Sequence, residues 1–199
     1  MPTIPRLFCF GLGYTAGLLA DAVASEGWSV AGTGRTAREG RNGPLFRFER
    51  RAPLDDPGGA LGDTTHILLS IPPEADGDAA LAVHGPHIAA LVPTLRWIGY
   101  LSTSGVYGDH GGAWVDEETP PQPTGERSRR RLDAENAWRD FGRAHGIPVQ
   151  VFRLPGIYGR SSRASMWTTS SPRCAPRWTG RVAAPSTTWP TTCRHRRTR

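Results

Sequence analysis

From Arg6 onward, short apolar runs alternate with amphipathic stretches. That is the pattern of βαβ units around a mostly parallel sheet, and it predicts an α/β, doubly wound fold. Residues 7–10 are apolar enough for a buried strand, and Leu18, Leu19, Ala22 and Val23 place one apolar face on a helix over 15–26. Further strands are expected over 28–33, 45–48 and 66–71, the last bounded by Pro72 and Pro73, which cannot continue a ladder. Residues 79–95 read as mainly helical, with Leu81, Val83, Ile88, Leu91, Val92 and Leu95 on the apolar side. Gly85 and Pro86 are expected to interrupt that helix, and Pro93 to kink or end it. A fifth strand over 97–102 precedes an exposed loop over 109–125, rich in Gly, Pro and acidic residues. A helix over 127–145 and a sixth strand over 149–154 complete the series.

After Gly159 both periodicities vanish. Residues 160–199 hold fourteen Ser or Thr, nine Arg and three Trp, with no Leu and no Ile, a composition that builds no core. The expected organisation is one domain over 1–159 and an irregular basic tail over 160–199.

Charge follows the same boundary. The 199-residue chain carries a net charge of +6. All nine charged side chains of the tail are Arg, so the remaining 15 basic residues face all 18 acidic ones, a net of −3 over 1–159. The basic balance is therefore a property of the tail, and a nucleic-acid partner is disfavoured, with a genuine Arg- and Trp-bearing arm that meets phosphates and stacks on bases as the alternative. All 24 basic residues are Arg, and lysine is absent, which excludes any mechanism that needs one. Cys9, Cys174 and Cys193 are odd in number and lack C-x-x-C spacing, so they read as ordinary thiols. No run of eighteen apolar residues occurs and the start lacks the pattern of a signal peptide, so the expectation is a cytoplasmic protein with no membrane partner.

The chemistry begins directly after the first strand, where Gly11, Leu12, Gly13, Tyr14, Thr15 and Ala16 spell G-x-G-x-x-A at the opening of a helix. The first glycine permits the tight turn, the second lets the backbone approach a pyrophosphate, and the small third residue lets helix and strand pack closely. The helix N-terminus then faces the phosphates. A site that prefers NAD carries an acidic residue at the end of the second strand. Here Thr33 and Gly34 are followed by Arg35, with Arg38 close behind, and a guanidinium suits a 2′-phosphate, so NADP is expected in preference to NAD. The alternative is that both arginines are merely solvated. Ser70 and Pro72 at the end of the fourth strand, and Ser102 and Thr103 at the end of the fifth, lie where a doubly wound sheet places its ligand crevice. His84 and His87 are separated by Gly85 and Pro86 and lack a Cys or carboxylate at ligand spacing, so no metal is expected.

Four stretches, Gly11 to Ala16, Ser70 to Pro73, Leu101 to Gly108, and Arg153 to Gly159 (Arg-Leu-Pro-Gly-Ile-Tyr-Gly), together resemble the NAD-dependent epimerase/dehydratase family, the extended and atypical short-chain dehydrogenases/reductases. The resemblance implies a Rossmann-type NAD(P)-binding domain, an oxidoreductase or epimerase/dehydratase type of activity, and a small-molecule substrate that the chain does not name. It also implies a Ser/Thr after the fifth strand, matched by Thr103, and a Tyr-x-x-x-Lys pair on the next helix. Anchored on Glu135, that pair falls on Arg127 and Arg131. Arginine stays protonated and cannot exchange a proton as the tyrosine does, so weak or absent activity is expected, with a non-catalytic nucleotide-binding or sensing module as the alternative. Arg127 and Arg131 either clamp an anion or form a solvated face with an Arg131 to Glu135 pair. Tyr107 either contacts a ligand or packs under the loop.

In the family, the Arg153 stretch is followed by a small substrate region containing an Arg-Ile-His-Val-Asp-Asp-Ile-type segment. When each codon starts one base earlier from Ser162, Met166 before Trp167 forces Val and Trp167 before Thr168 forces Asp. With permitted codons elsewhere the shifted peptide becomes Ser-Arg-Ile-His-Val-Asp-Asp-Ile-Val-Ala-Ala-Leu. Residues from about 162 onward are accordingly expected to be a frameshifted translation of a truncated family member.

Overall fold

A computed structural model describes residues 4–155. The basic tail, the last four residues of the Arg153 to Gly159 stretch, Cys174, Cys193 and the frameshift reading lie outside them.

Seven strands form one sheet in the order β3-β4-β2-β1-β5-β6-β7. They are β1 (Arg6–Phe10), β2 (Ser29–Gly34), β3 (Arg38–Gly40), β4 (Gly43–Arg47), β5 (His66–Leu69), β6 (Trp97–Thr103) and β7 (Val149–Leu154). Every neighbouring pair is parallel except β3 with β4. The helices are α1 (Tyr14–Ser25), α2 (Pro57–Leu61), α3 (Ala79–Ala90) and α4 (Glu126–His145), with a 3₁₀ turn over Ser104–Tyr107. The mostly parallel sheet expected from the alternation, and the Rossmann-type arrangement implied by the resemblance, are observed.

The central strand shows why apolar runs rather than strict alternation marked the sheet. Leu7, Phe8, Cys9 and Phe10 are all buried, because β1 is covered on both faces. Leu7 and Cys9 pack with Ala16, Ala20 and Val23 of α1, while Phe8 and Phe10 pack with Ile88 of α3 and Trp138 of α4 on the opposite side. The chain winds outward from β1 to β2 and β4, then returns to β5 and winds the other way through β6 to β7. The order reverses between β1 and β5, and the crevice beyond their C-terminal ends is where such a sheet binds ligands.

Three local features differ from expectation. Arg38–Gly40 is a strand, paired antiparallel to β4 through Arg38 with Leu45 and Gly40 with Gly43. The short helix α2 is capped by Asp56, whose carboxylate accepts from the Gly59 amide at 2.9 Å. α3 runs without a break through Gly85 and Pro86. Ala80, His84 and Ile88 seat it in the core and Asp78 caps its start, accepting from the Leu81 amide at 3.0 Å, so burial outweighs the one hydrogen bond that proline forfeits. The helix ends before Pro93, as expected. The 109–125 segment is wholly without buried residues and contains neither helix nor strand.

Candidate active site

The glycine turn is built on β1, braced by β2 and closed by the end of β5. Gly11 has φ +89°, and a Cβ there would stand 2.7 Å from Ile71 Cγ2. Its amide donates to Thr33 Oγ1 at 2.8 Å, and the Leu12 amide donates to the Thr33 carbonyl, also at 2.8 Å. Thr33 is buried at the end of β2, and its role as the brace of the turn escaped the sequence reading, which treated it only as a strand end. Gly13 caps α1 with φ −86°, and no side chain supplies the cap. A Cβ on Gly13 would meet nothing within 4 Å. The turn therefore contains one glycine that the fold requires and another whose missing side chain leaves open space against the helix start.

Ala16 is fully buried where α1 meets the sheet, Thr15 is half-buried, and Tyr14 is exposed. Helix α1 has no acidic residue in its first turn to offset the positive end of its dipole. A cleft of about 320 Å³ opens beside it, lined by Gly13, Tyr14, Gly17, Leu18, Arg38 and Leu45 among others. Arg38, on β3, thus shares a cleft with the glycine turn, whereas Arg35 is exposed in the connection that follows β2 and does not line it. The cleft thus combines bare backbone and an unneutralised helix start with Arg38 in its lining.

Ser70, half-buried, follows β5 and donates its amide to the Phe10 carbonyl at 2.9 Å, which ties the β1 and β5 ends together at the switch point. Pro72 is exposed beside it. At the end of β6, neighbouring hydroxyls are used differently. The buried Ser102 hydroxyl donates to Glu135 Oε1 at 2.5 Å, so its proton is committed. Thr103 Oγ1 instead accepts from the Gly105 amide at 3.2 Å, and among the described residues no acceptor takes its proton.

Helix α4 supplies the charged groups. Glu135 is completely buried and is bound by Arg153 of β7, Nη2 to Oε2 at 2.8 Å, with Arg139 at 3.5 Å. The Arg131 to Glu135 pair, one of the two alternatives for this helix face, does not form. Arg131 turns to the sheet, where Nη1 donates to the Leu101 carbonyl at 2.8 Å and its guanidinium lies 5.8 Å from the Tyr100 ring centre. The reason is the register of β6 with β7, which sets Arg153 beside Ser102 and gives Glu135 a closer partner. Tyr100 is buried, and burial pushes its phenol up to about 12, so it stays protonated. Tyr107 packs beneath Arg153, whose guanidinium sits 4.7 Å from the ring centre. Arg127 is exposed at the start of α4.

The remaining candidates are structural. Burial raises the Cys9 thiol to about 12, which removes its nucleophilic form at neutral pH. His84 accepts from the Leu54 amide at 3.2 Å inside the core. Among the described residues no helix is long and apolar enough to cross a membrane, and no group of three metal-binding side chains occurs.

The sheet order and the glycine turn between β1 and α1 are those of a Rossmann-type fold. The same fold is found in solved NAD-dependent epimerases and in a short-chain dehydrogenase/reductase superfamily protein. The chain is 40% identical to a conserved protein of unknown function from Silicibacter pomeroyi, with a TM-score of 0.66 over 77% of this chain and 53% of that one. It is similar in structure to UDP-glucuronic acid 4-epimerase from Bacillus cereus in complex with NAD, at 19% identity and a TM-score of 0.59, covering 77% of this chain and 57% of that one. UDP-N-acetylglucosamine 4-epimerase from the same organism matches at 14% identity and 0.64, covering 82% and 64%. The chain thus spans a little over half the length of these proteins. No family model matches it, and no curated protein does.

Proposed function

We propose that the domain binds a nicotinamide dinucleotide, with NADP preferred over NAD, and that it descends from a reductase or epimerase whose usual proton-transfer pair is gone. The observation that carries the reading is that Gly13, bare toward open space at the start of α1, and Arg38 line the same cleft. The glycine turn and helix start bind the pyrophosphate, Arg38 and the nearby Arg35 receive the 2′-phosphate, and the Ser70 and Thr103 strand ends stand beside the nicotinamide. When bound, the nicotinamide supplies a two-electron hydride donor or acceptor.

The chain's own residues then decide how much chemistry remains. Thr103 keeps a hydroxyl hydrogen free to donate to a substrate oxygen, whereas the Ser102 hydroxyl already donates its hydrogen bond to Glu135. Arg131 occupies the position of the family's lysine and can hold a ribose or an anion, but neither it nor Arg127 exchanges a proton near neutral pH. The protein is accordingly a cytoplasmic, nucleotide-binding member with weak or no turnover on a small-molecule substrate.

Titration with NADPH, followed by nicotinamide fluorescence, tests the reading. Saturable binding with enhanced emission is expected, and a linear, unsaturated signal for both NADPH and NADH up to millimolar concentration would remove it.

A further inference from the structure

The β3–β4 hairpin, invisible in the sequence pattern, carries Arg38 into the nucleotide cleft, and its geometry is unusually constrained. Gly40 and Gly43 face each other across a two-residue turn made of Arg41 and Asn42. A Cβ on Gly40 would meet the Gly43 carbonyl oxygen at 2.7 Å. Gly43 has φ +139° and presses against β2, where a Cβ would stand 2.0 Å from the Val30 carbonyl oxygen. The base of the turn is therefore fixed on the sheet. Its tip is fixed on α1: Asp21 Oδ1 accepts from Asn42 Nδ2 at 2.5 Å, and Oδ2 accepts from Arg41 Nη1 at 3.1 Å.

Asp21 lies seven residues beyond Tyr14, two turns along the same face of α1, and both line the cleft with Arg38. The latch also has an electrostatic consequence. With its two oxygens taken by the hairpin tip, Asp21 does not pair with Arg38, and Arg38 forms no ion pair with any described carboxylate. Its guanidinium is left for a ligand.

We propose that Asp21 is a positioning residue for cofactor preference, holding the hairpin tip to α1 so that Arg38 stays on the cleft wall, turned toward a 2′-phosphate. The inference rests on the nucleotide-binding reading above and adds a specificity device to it. Asp21, its oxygens engaged by Arg41 and Asn42, acts through Arg38. An unlatched hairpin lets Arg38 move away from the phosphate while the glycine turn, which binds both cofactors alike, is unaffected.

The test measures dissociation constants for NADPH and NADH with the wild type, Asp21→Ala, Asn42→Ala, Arg38→Ala and the Asp21→Ala/Arg38→Ala double variant. The latch is partly exposed, so the effect is moderate: Asp21→Ala should weaken NADPH about three- to tenfold and leave NADH within about twofold, with Asn42→Ala in the same direction. In the Arg38→Ala background the Asp21 change should do nothing further, because it acts through Arg38. Unchanged or tighter NADPH binding in Asp21→Ala would overturn the proposal, since Asp21 would then be a bystander or only a like charge near the phosphate. So would equal weakening of both cofactors, or an undiminished effect without Arg38. A wild type that binds NADPH with an unaltered preference in Asp21→Ala removes this inference alone, whereas a wild type that binds neither cofactor removes the reading beneath it as well.

Discussion

Glu135 and Arg153 form a covered ion pair between helix and edge strand: Nη2 lies 2.8 Å and Nε 3.2 Å from Oε2, and the two side chains are 0% and 13% exposed. The same carboxylate accepts a hydrogen bond from the Ser102 hydroxyl, so one buried charge fastens α4, β6 and β7 together. Removing one partner of such a pair strands the other. Glu135→Ala is expected to lower unfolding stability by about 3–5 kcal/mol, with Glu135→Gln, which keeps an acceptor, losing less. Urea unfolding followed by circular dichroism measures this, and a loss below about 1 kcal/mol for Glu135→Ala would mean that the pair does not fasten these elements.

The two glycines of the turn should separate folding from binding. In Gly11→Ala the methyl meets Ile71 at 2.7 Å on a backbone of φ +89°, so thermal stability falls, by about 1–3 kcal/mol. In Gly13→Ala the methyl meets no protein atom within 4 Å, so stability stays within about 0.5 kcal/mol of the wild type while nucleotide affinity drops at least about tenfold. Melting curves paired with cofactor titrations check both, and Gly13→Ala binding at full affinity would place the pyrophosphate elsewhere.

Pro86 lies inside α3 and is exposed, so its replacement opens no cavity. Pro86→Ala restores a backbone donor to the helix interior and should raise stability by about 1–3 kcal/mol. A lower melting temperature in that variant would show that the ring itself contributes to the packing.

His66 is held between Trp28 and Trp97, with ring centres 4.6 and 6.2 Å away. Burial, with the charge of Arg96 adding to it, lowers its imidazole to about 4. In the unfolded chain a histidine titrates near 6.5. Between those values the unfolded state takes up a proton that the folded state refuses, so this contribution is complete above about pH 6.5 and is lost as the pH falls toward 4. His84, lowered chiefly by burial and then by His87, acts in the same direction. The urea midpoint should therefore fall between pH 7 and pH 4.5, and the fall should be smaller in His66→Gln. An identical drop in the variant would acquit His66.

The βα order and the glycine turn were legible because both are local: apolar runs announce parallel strands covered on two faces, and G-x-G-x-x-A announces a strand-to-helix turn. What escaped depended on contacts distant in sequence. The strand Arg38–Gly40 has no apolar residue and forms only because β4 offers it a ladder. Helical spacing offered an Arg131 to Glu135 pair as one alternative, but the β6–β7 register brought Arg153 to Glu135 instead. Pro86 read as an interruption because its cost is local, whereas the burial of His84 and Ile88 that outweighs it is tertiary. Thr33 gave no signal as the brace of the turn, since a threonine at the end of a strand is common.

In the proposed function one cleft joins the bare Gly13 backbone to Arg38, whose guanidinium recognises a 2′-phosphate. Isothermal titration of the full-length protein with NADPH and with NADH tests it most directly. Both are expected to bind, NADPH at least about tenfold more tightly, the margin of one charge-assisted phosphate contact. NADH binding as tightly as NADPH, or neither cofactor binding at millimolar concentration, would contradict it.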